Sequence, residues 1–428
     1  MEILILVLSF IILIGIGMPI AWSIGLSGLL TILISMPMMP AVTTVAQRMA
    51  TGLDSFALLA IPFFILAGQI MNRGGIAKRL IDFAKTIVGA LPGGLAHVNI
   101  IAAMLFGAIS GSAAAAASAI GGFMTNRMEK EGYSRQFSAA INITSSTTGL
   151  IIPPSNILIV YSLASGGASI AALFLAGYIP GMLTGLLLMI VAGVWAKRKG
   201  FPTGARSTMG ETYRAFVSAF PSLLLLFVVI GGIVAGIFTA TEASAVAVLY
   251  CLILAYLYKE IKTSDLPDIL ISSVCTTAIV TLLIATSISM SWVMSYENIP
   301  QQITDLLLGV SDNKYVILFL INLILLFVGI FMDMTPAVLI FTPIFLPVVT
   351  KLGIDPVHFG IIMVMNLCIG VCTPPVGSVL FIGVGVAGTT IQKVIKPLLP
   401  LFAAMLIGLL LTTYIPALSM WLPRMFGF

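Results

Sequence analysis

The chain has 428 residues, of which 60% are hydrophobic and 8% charged, where a soluble protein carries about 25% charged residues. Long apolar runs from end to end make it an all-α polytopic membrane protein and exclude a soluble enzyme. The net charge of +5 does not point to nucleic acid, because no basic stripe with interleaved aromatics accompanies it.

The opening MEILILVLSF has neither a basic n-region nor a small-residue cleavage site, so it reads as a first span and not as a removed leader. Spans are expected at 3–18, 20–38 and 55–72. The segment 73–85 then carries Arg73, Lys78, Arg79 and Lys85. Next comes LPGGLAHVNIIAAMLFGAISGSAAAAASAIGGFMTN at 91–126, followed by Arg127, Lys130 and Arg135. Basic segments thus flank 91–126 on both sides, and Ser110-Gly111-Ser112 interrupts it. Its arms, 93–109 and 113–126, are shorter than the roughly 20 residues that a span needs. A re-entrant hairpin opening to the cytoplasm fits, with two short tilted spans as the alternative.

A helix over 134–165 follows, containing TTGLIIPPSN at 147–156. Proline lacks an N–H and clashes with the preceding turn, so Pro153–Pro154 must break that helix. Broken backbone at membrane depth is tolerated only where protein buries it or where it lines a wet cavity. Spans at 170–195, 218–237, 242–258 and 268–295 come next. Lys197, Arg198, Lys199, Arg206 and Arg214 lie after the first of these, and Lys259 and Lys262 after the third. The segment 315–349 has FMDMTP at its middle and is a second hairpin, flanked by the loops around 305–314 and 351–355. A helix over 358–388 contains CIGVCTPPVG, and a last span covers 398–422. One topology puts these basic segments, with Lys393 and Lys396, in the cytoplasm. It leaves only Arg48, Lys314, Lys351 and Arg424 outside, with both termini facing outward.

Hairpin and broken helix recur at an offset of 221. Ser112 falls on Asp333, Ser110 on Phe331, Gly149 on Gly370, and Pro153–Pro154 on Pro374–Pro375; EGYSRQF at 131–137 falls on LGIDPVH at 352–358. The first hairpin enters from the cytoplasm and the second from outside, so the fold is an inverted-topology repeat with two re-entrant helical hairpins and two broken helices. The chain divides into N-terminal scaffold helices (1–54), a first repeat (55–195), a linking arm with scaffold helices (196–275) and a second repeat (276–422). Interrupted helices in matching positions of two halves mark a transporter binding site.

Unwound helices offer unpaired carbonyls, and half-helix N-termini offer N–H groups. Oxygen clusters of this kind suit a hard cation such as Na⁺. The first cluster is Thr147, Thr148, Gly149, Ser155 and Asn156, facing Ser110, Gly111 and Ser112. The second is Gly370, Thr373, Gly377 and Ser378, facing Asp333 and Thr335. Each reads as one cation site with substrate between them. A single Ser or Thr here could instead bond back to its own helix. Only Asp333 and Glu242 are acidic residues well inside apolar stretches. Asp333 suits ion binding or gating. Glu242 suits either a gate or substrate contact, or a carboxylate at a helix N-terminus with Thr241 as cap; Ser155 is a further substrate candidate.

Other motifs point nowhere else. Cys251, Cys275, Cys368 and Cys372 read as buried apolar filler. His97 and His358 have no metal-ligand spacing. The dipeptide Gly-Lys never occurs, so there is no P-loop. The small residues of SGSAAAAAS let hairpin arms approach closely.

Five ordered stretches carry a resemblance: LLAIPFFILAGQIMNRGGIAKRL, GAISGSAAAAAS, GIFTATEASAVAVLY, GIFMDMTPAVLIFTPIFLP and GIDPVHFG with IGVCTPPVGSVL. Together they resemble the large membrane subunit of tripartite ATP-independent periplasmic (TRAP) transporters, over nearly the whole chain. The resemblance implies a member of the ion-transporter superfamily in the bacterial inner membrane, working as a Na⁺-driven elevator with two or more coupling ions and no organic cofactor. It implies two partners, a small four-helix membrane subunit and a periplasmic substrate-binding protein, and a small anionic organic substrate. The family's hairpin-tip residues fall on Ser110, Ser112 and Asp333, and its Thr-Glu-Ala motif on Thr241, Glu242 and Ala243. Ala240 stands where members often have proline. SGSAAAAASAIGGFM with TPPVGSVLFIGVGVAG is more similar to the sialic-acid members than to the C4-dicarboxylate ones, which remain the alternative. An intramembrane enzyme or scaffold is the reading outside transport, and the chain offers no catalytic dyad for it.

Overall fold

The computed structural model describes residues 2–201, 207–311 and 313–428. Arg206, one of the basic residues placed in the cytoplasm, lies outside them. The described residues form twenty α-helices and two 3-10 turns, without a strand. Eight helical segments among them are long and apolar enough to cross a membrane. The large apolar side chains left exposed, such as Ile11, Phe227 and Leu249, are what lipid would cover.

The chain starts with α1 (Glu2–Gly15), α2 (Ile20–Ile32) and α3 (Met38–Gly52). The sequence reading assigned no element to 39–54, yet α3 is helical and docks on a later helix through Ala41 and Val45, one turn apart. Next come α4 (Ala60–Arg73) and α5 (Ile76–Val88). The basic segment 73–85, given no element above, is largely the helix α5. Its apolar residues Ile76, Ala77, Leu80, Ile81, Ala84 and Val88 recur at helical spacing and are buried, while its charges face out.

The first hairpin is α6 (Gly94–Ser110) and α7 (Ala113–Lys130). The second arm has 18 residues and so runs past the expected boundary at 126. It continues through Arg127 and Lys130, cations that suit a helix C-terminus. The broken helix is α8 (Arg135–Thr148) and α9 (Asn156–Ala164), and α10 (Ile170–Lys199) closes the repeat. α8 is buried from Phe137 to Thr148. It carries five consecutive hydroxyl residues, Thr144 to Thr148, and each donates to a carbonyl three or four residues back. Back-bonding of this kind lets a polar run sit in an apolar interior.

Two linking helices follow, α11 (Met209–Val234) and α12 (Ala240–Leu257). α11 begins nine residues before the expected 218, because Thr208 and Glu211 form a capping box inside the basic segment. Then come α13 (Leu266–Tyr296) and α14 (Ile299–Val310), whose second half lies where the loop around 305–314 is expected. The second hairpin is α15 (Lys314–Phe331) with α16 (Met334–Lys351), and the second broken helix is α17 (Pro356–Gly370) with α18 (Ser378–Ala387). The chain ends in α19 (Ile391–Tyr414) and α20 (Ala417–Met425), two helices where one span was expected over 398–422; Pro416 separates them.

The repeat is detailed down to its turns. Gly132 and Gly353 both adopt positive φ, +86° and +73°. Tyr133 N–H donates to Met128 O and Ile354 N–H to Val349 O, each at 3.0 Å. Ser134 and Asp355 then cap α8 and α17 through their side chains. Left-handed residues, Gly75 and Asn298, precede α5 and α14 in the same way. Both Pro-Pro bonds are cis.

The repeats interlock. α9 of the first packs on α16 of the second, and α18 of the second on α7 of the first. α8 and α17 touch where the Cys368 thiol donates to Thr147 O at 3.3 Å. Cys275 departs from the filler reading: it is exposed on α13, whereas Cys251, Cys368 and Cys372 are buried. Around this body α1–α4 and α11–α13 pack as a separate layer, in which α4 lies along α12 and α13.

Candidate functional site

Each hairpin tip is pressed against the break of its own repeat. In the first, α6 stops at Ser110, Gly111 turns the chain at φ +61°, and Ser112 caps α7 by accepting from Ala115 N–H at 3.2 Å. A Cβ at Gly111 would lie 2.7 Å from Asn156 Nδ2, so this turn needs glycine both for φ and for room. In the second, Asp333 is the N-cap of α16, and its Oδ1 accepts from Ser378 Oγ at 3.3 Å. Gly377 N–H donates to Ile330 O at 3.1 Å, tying the second break to its hairpin.

Below the tips, backbones cross without side chains between them. A Cβ at Gly107 would fall 2.8 Å from Gly149 Cα, and one at Gly329 would fall 2.9 Å from Gly370 Cα. Gly149 and Gly370 therefore set the depth at which the hairpins seat.

Both tips open on one cavity of about 400 Å³. Ser110, Gly111, Ser112, Asn156, Asp333, Thr335 and Ser378 all line it. Because the tips meet there, both hairpins end at the same depth. The arms have 17 or 18 residues, about 27 Å at 1.5 Å per residue, and it is the meeting of the tips at one cavity, not the arm length, that places both ends at one level.

The remaining expected residues are not on the cavity wall. Thr148 donates to Ser145 O at 2.6 Å, Thr147 to Thr144 O at 3.0 Å and Thr373 to Ile369 O at 2.7 Å. Gly149, Gly370 and Gly377 serve the backbone crossings and turns just described. Ser155 is wholly buried beside the first break, and its hydroxyl has no partner. Glu242 does not line the cavity. Its carboxylate accepts from Thr239 N–H and Thr239 Oγ1, both at 2.8 Å, closing a capping box on α12. The cap is thus Thr239 and not Thr241, whose hydroxyl instead donates to Phe56 O at 2.8 Å.

The sequence reading missed the opposite wall. There Gln69 and Asn72 of α4 and Thr276 of α13 line the cavity. The signal was present: two amides three residues apart, hence on one face, in the otherwise apolar AIPFFILAGQIMNR.

Residues 7–418 match the family described as "DctM: Tripartite ATP-independent periplasmic transporter, DctM component". The chain is similar to an uncharacterized protein, YgiK, of Salmonella typhimurium, 57% identical over all of this chain and 98% of that one. It is 43% identical to the isethionate TRAP transporter permease protein DctMQ of Oleidesulfovibrio alaskensis, over 95% of this chain and 64% of the relative. It is 38% identical to the sialic acid TRAP transporter large permease protein SiaM of Vibrio cholerae, over 96% of each chain. Among solved structures, the YdaH transporter of Alcanivorax borkumensis superposes with a TM-score of 0.66 at 13% identity, covering 90% of this chain and 88% of that one, a likeness of fold.

Proposed function

The chain belongs to the DctM family of tripartite ATP-independent periplasmic transporters, a multi-pass inner-membrane permease and not an enzyme, and from that premise we propose that it imports a small organic acid in company with Na⁺. One observation carries the anionic substrate. The N-termini of α7, α9, α16 and α18 all deliver residues to the same cavity: Ala113, Asn156, Met334 and Ser378. Each N-terminus carries partial positive charge and unpaired N–H groups. None of the described residues lining the cavity is basic. Helix ends, and not Lys or Arg, are then what meets a carboxylate or sulfonate.

Two features support Na⁺ at the tips. Asp333 brings the one carboxylate on the cavity wall. The hydroxyls of Thr148 and Thr373, behind the cavity wall at the two breaks, point their protons at their own helix carbonyls, so their oxygens keep lone pairs that a cation seated in the break could use. In this reading the body made of both hairpins and both broken helices moves against the layer of α1–α4 and α11–α13 as an elevator, with the tips closing over ions and substrate. The partners are a small four-helix membrane subunit and a periplasmic binding protein that hands over the substrate.

Sialic acid and a C4-dicarboxylate, the two sequence-level expectations, stand beside isethionate as the acids to try, since the relatives named for isethionate and sialic acid are 43% and 38% identical. The test is uptake into proteoliposomes holding the assembled permease, with its binding protein outside, across these three acids. Accumulation of at least one acid, dependent on the binding protein, is expected. No accumulation of any organic anion by a folded, assembled complex would overturn the proposal.

A further inference from the structure

Gln69 and Asn72 stand out among the polar side chains of α4. Neither amide has a hydrogen-bond partner within the described chain. Both lie on one helix face, and both line the cavity opposite the hairpin tips. An amide facing hydrocarbon without a partner is costly, whereas one facing a wet cavity or a polar ligand is not. Between them and the tip, Gly68 brings the two layers into contact: a Cβ there would lie 2.9 Å from Ser110 O and 3.2 Å from Ser110 Cα. The first hairpin tip therefore seats directly on the turn of α4 that carries the amides. Thr276 of α13 adds a hydroxyl to the same wall.

Resting on the reading of this cavity as the substrate's path, we propose that Gln69 and Asn72 are specificity-determining residues: a fixed, neutral hydrogen-bonding wall for the part of the organic acid that points away from the tips. The N–H donors and partial positive charge of the helix ends suit an acid group of any kind, so discrimination between acids falls to side chains on the wall. A primary amide offers a donor pair and an acceptor, and so distinguishes hydroxyl or amide substituents from bare methylene. A wall that hydrogen-bonds its ligand discriminates by leaving its polar groups unpaired once the wrong ligand has displaced water from them. The cavity runs along α4 from Ile61 to Asn72 and ends beside Arg73, the end that the basic residues assign to the cytoplasm. The two amides are thus the last groups that the substrate leaves.

The test uses Gln69→Leu and Asn72→Leu in the complete transporter; an apolar residue in an apolar helix leaves folding undisturbed. Uptake of the acid that wild type transports best is measured against competition from the others among isethionate, succinate and sialic acid. Each variant is expected to raise the apparent KM about five- to tenfold, the effect of one neutral hydrogen bond, and to reorder the competitors, with Na⁺ dependence unchanged. A binding readout that survives loss of transport accompanies it. In a Cys275→Ala background, Thr276→Cys is modified by a maleimide, and the same acid should slow the reaction. The protective concentration should rise with Gln69→Leu or Asn72→Leu by the same factor. Unchanged KM, ranking and protection in both variants would overturn the inference, as would an absence of protection by an acid that is transported normally. Failure of wild type to take up any organic anion would instead strike the reading beneath it.

Discussion

Gly370→Ala tests whether the glycine crossing beneath the second tip sets the tip's geometry. The added Cβ would lie 2.5 Å from Gly329 Cα, 2.7 Å from its carbonyl carbon and 3.0 Å from its oxygen. All three are backbone atoms, so no side-chain rotation relieves them. Carbon pairs settle at about 3.5–4.0 Å, so α15 must withdraw by about 1 Å. Overpacking of this kind costs about 1–3 kcal/mol, a loss of roughly 1–3 °C in melting temperature for a chain of this length. The functional effect is larger than the stability effect, because the hairpin carries Asp333 with it. The Asp333 Oδ1 to Ser378 Oγ contact, already 3.3 Å, would pass beyond hydrogen-bonding range. Gly385→Ala on α18 is the control, since its Cβ meets nothing within 4 Å and alanine gains about 0.8–1.0 kcal/mol of helix propensity there. The assay is thermal unfolding of the purified protein followed by Na⁺-dependent uptake. The expected result is a lowered melting temperature and a weakened Na⁺ response for Gly370→Ala, with neither in the control. Identical behaviour of the two variants would refute the crossing as a determinant of the tip.

Asp333→Ala should lower apparent Na⁺ affinity by about 10–100-fold, the value of a charge-assisted ligand, and Ser112→Ala by about 10-fold or less; Na⁺ titration of uptake measures both, and wild-type affinity in the two variants would remove the tips from ion binding. Thr239→Ala breaks the capping box on α12 and should cost about 1 kcal/mol of stability with the Na⁺ and substrate responses retained; Glu242→Gln should behave likewise, and a selective loss of substrate response in it would return Glu242 to the gate. Gly111→Ala meets Asn156 and a positive φ together, so it should abolish uptake while leaving a folded protein on size-exclusion chromatography; wild-type uptake would contradict the seating of tip on break.

The hairpins, the breaks and their pairing were legible in the sequence because each depends on residues with few structural uses. Pro153–Pro154, Pro374–Pro375, Gly149 and Gly370 have one conformational meaning at membrane depth, and their common offset multiplies it. The helices α3, α5 and α14 escaped because hydropathy identifies spans and not half-buried helices; their apolar faces bury against protein, and charges such as Arg48 and Lys78 read only as markers of sidedness. The roles of Thr148 and Thr373 were open because a hydroxyl's direction depends on rotamer and not on composition. Gln69 and Asn72 were overlooked for a different reason: the wall opposite the tips belongs to no repeat motif, and only the three-dimensional meeting of α4 with Ser110 brings it to the site.

Uptake of an organic acid by the assembled transporter in proteoliposomes, with the external cation as the sole variable, decides whether Na⁺ drives this permease. The two oxygen-rich tips predict accumulation driven by an inward Na⁺ gradient, and its loss when K⁺ or choline replaces Na⁺ outside. Undiminished accumulation in Na⁺-free buffer under a proton gradient would overturn Na⁺ coupling.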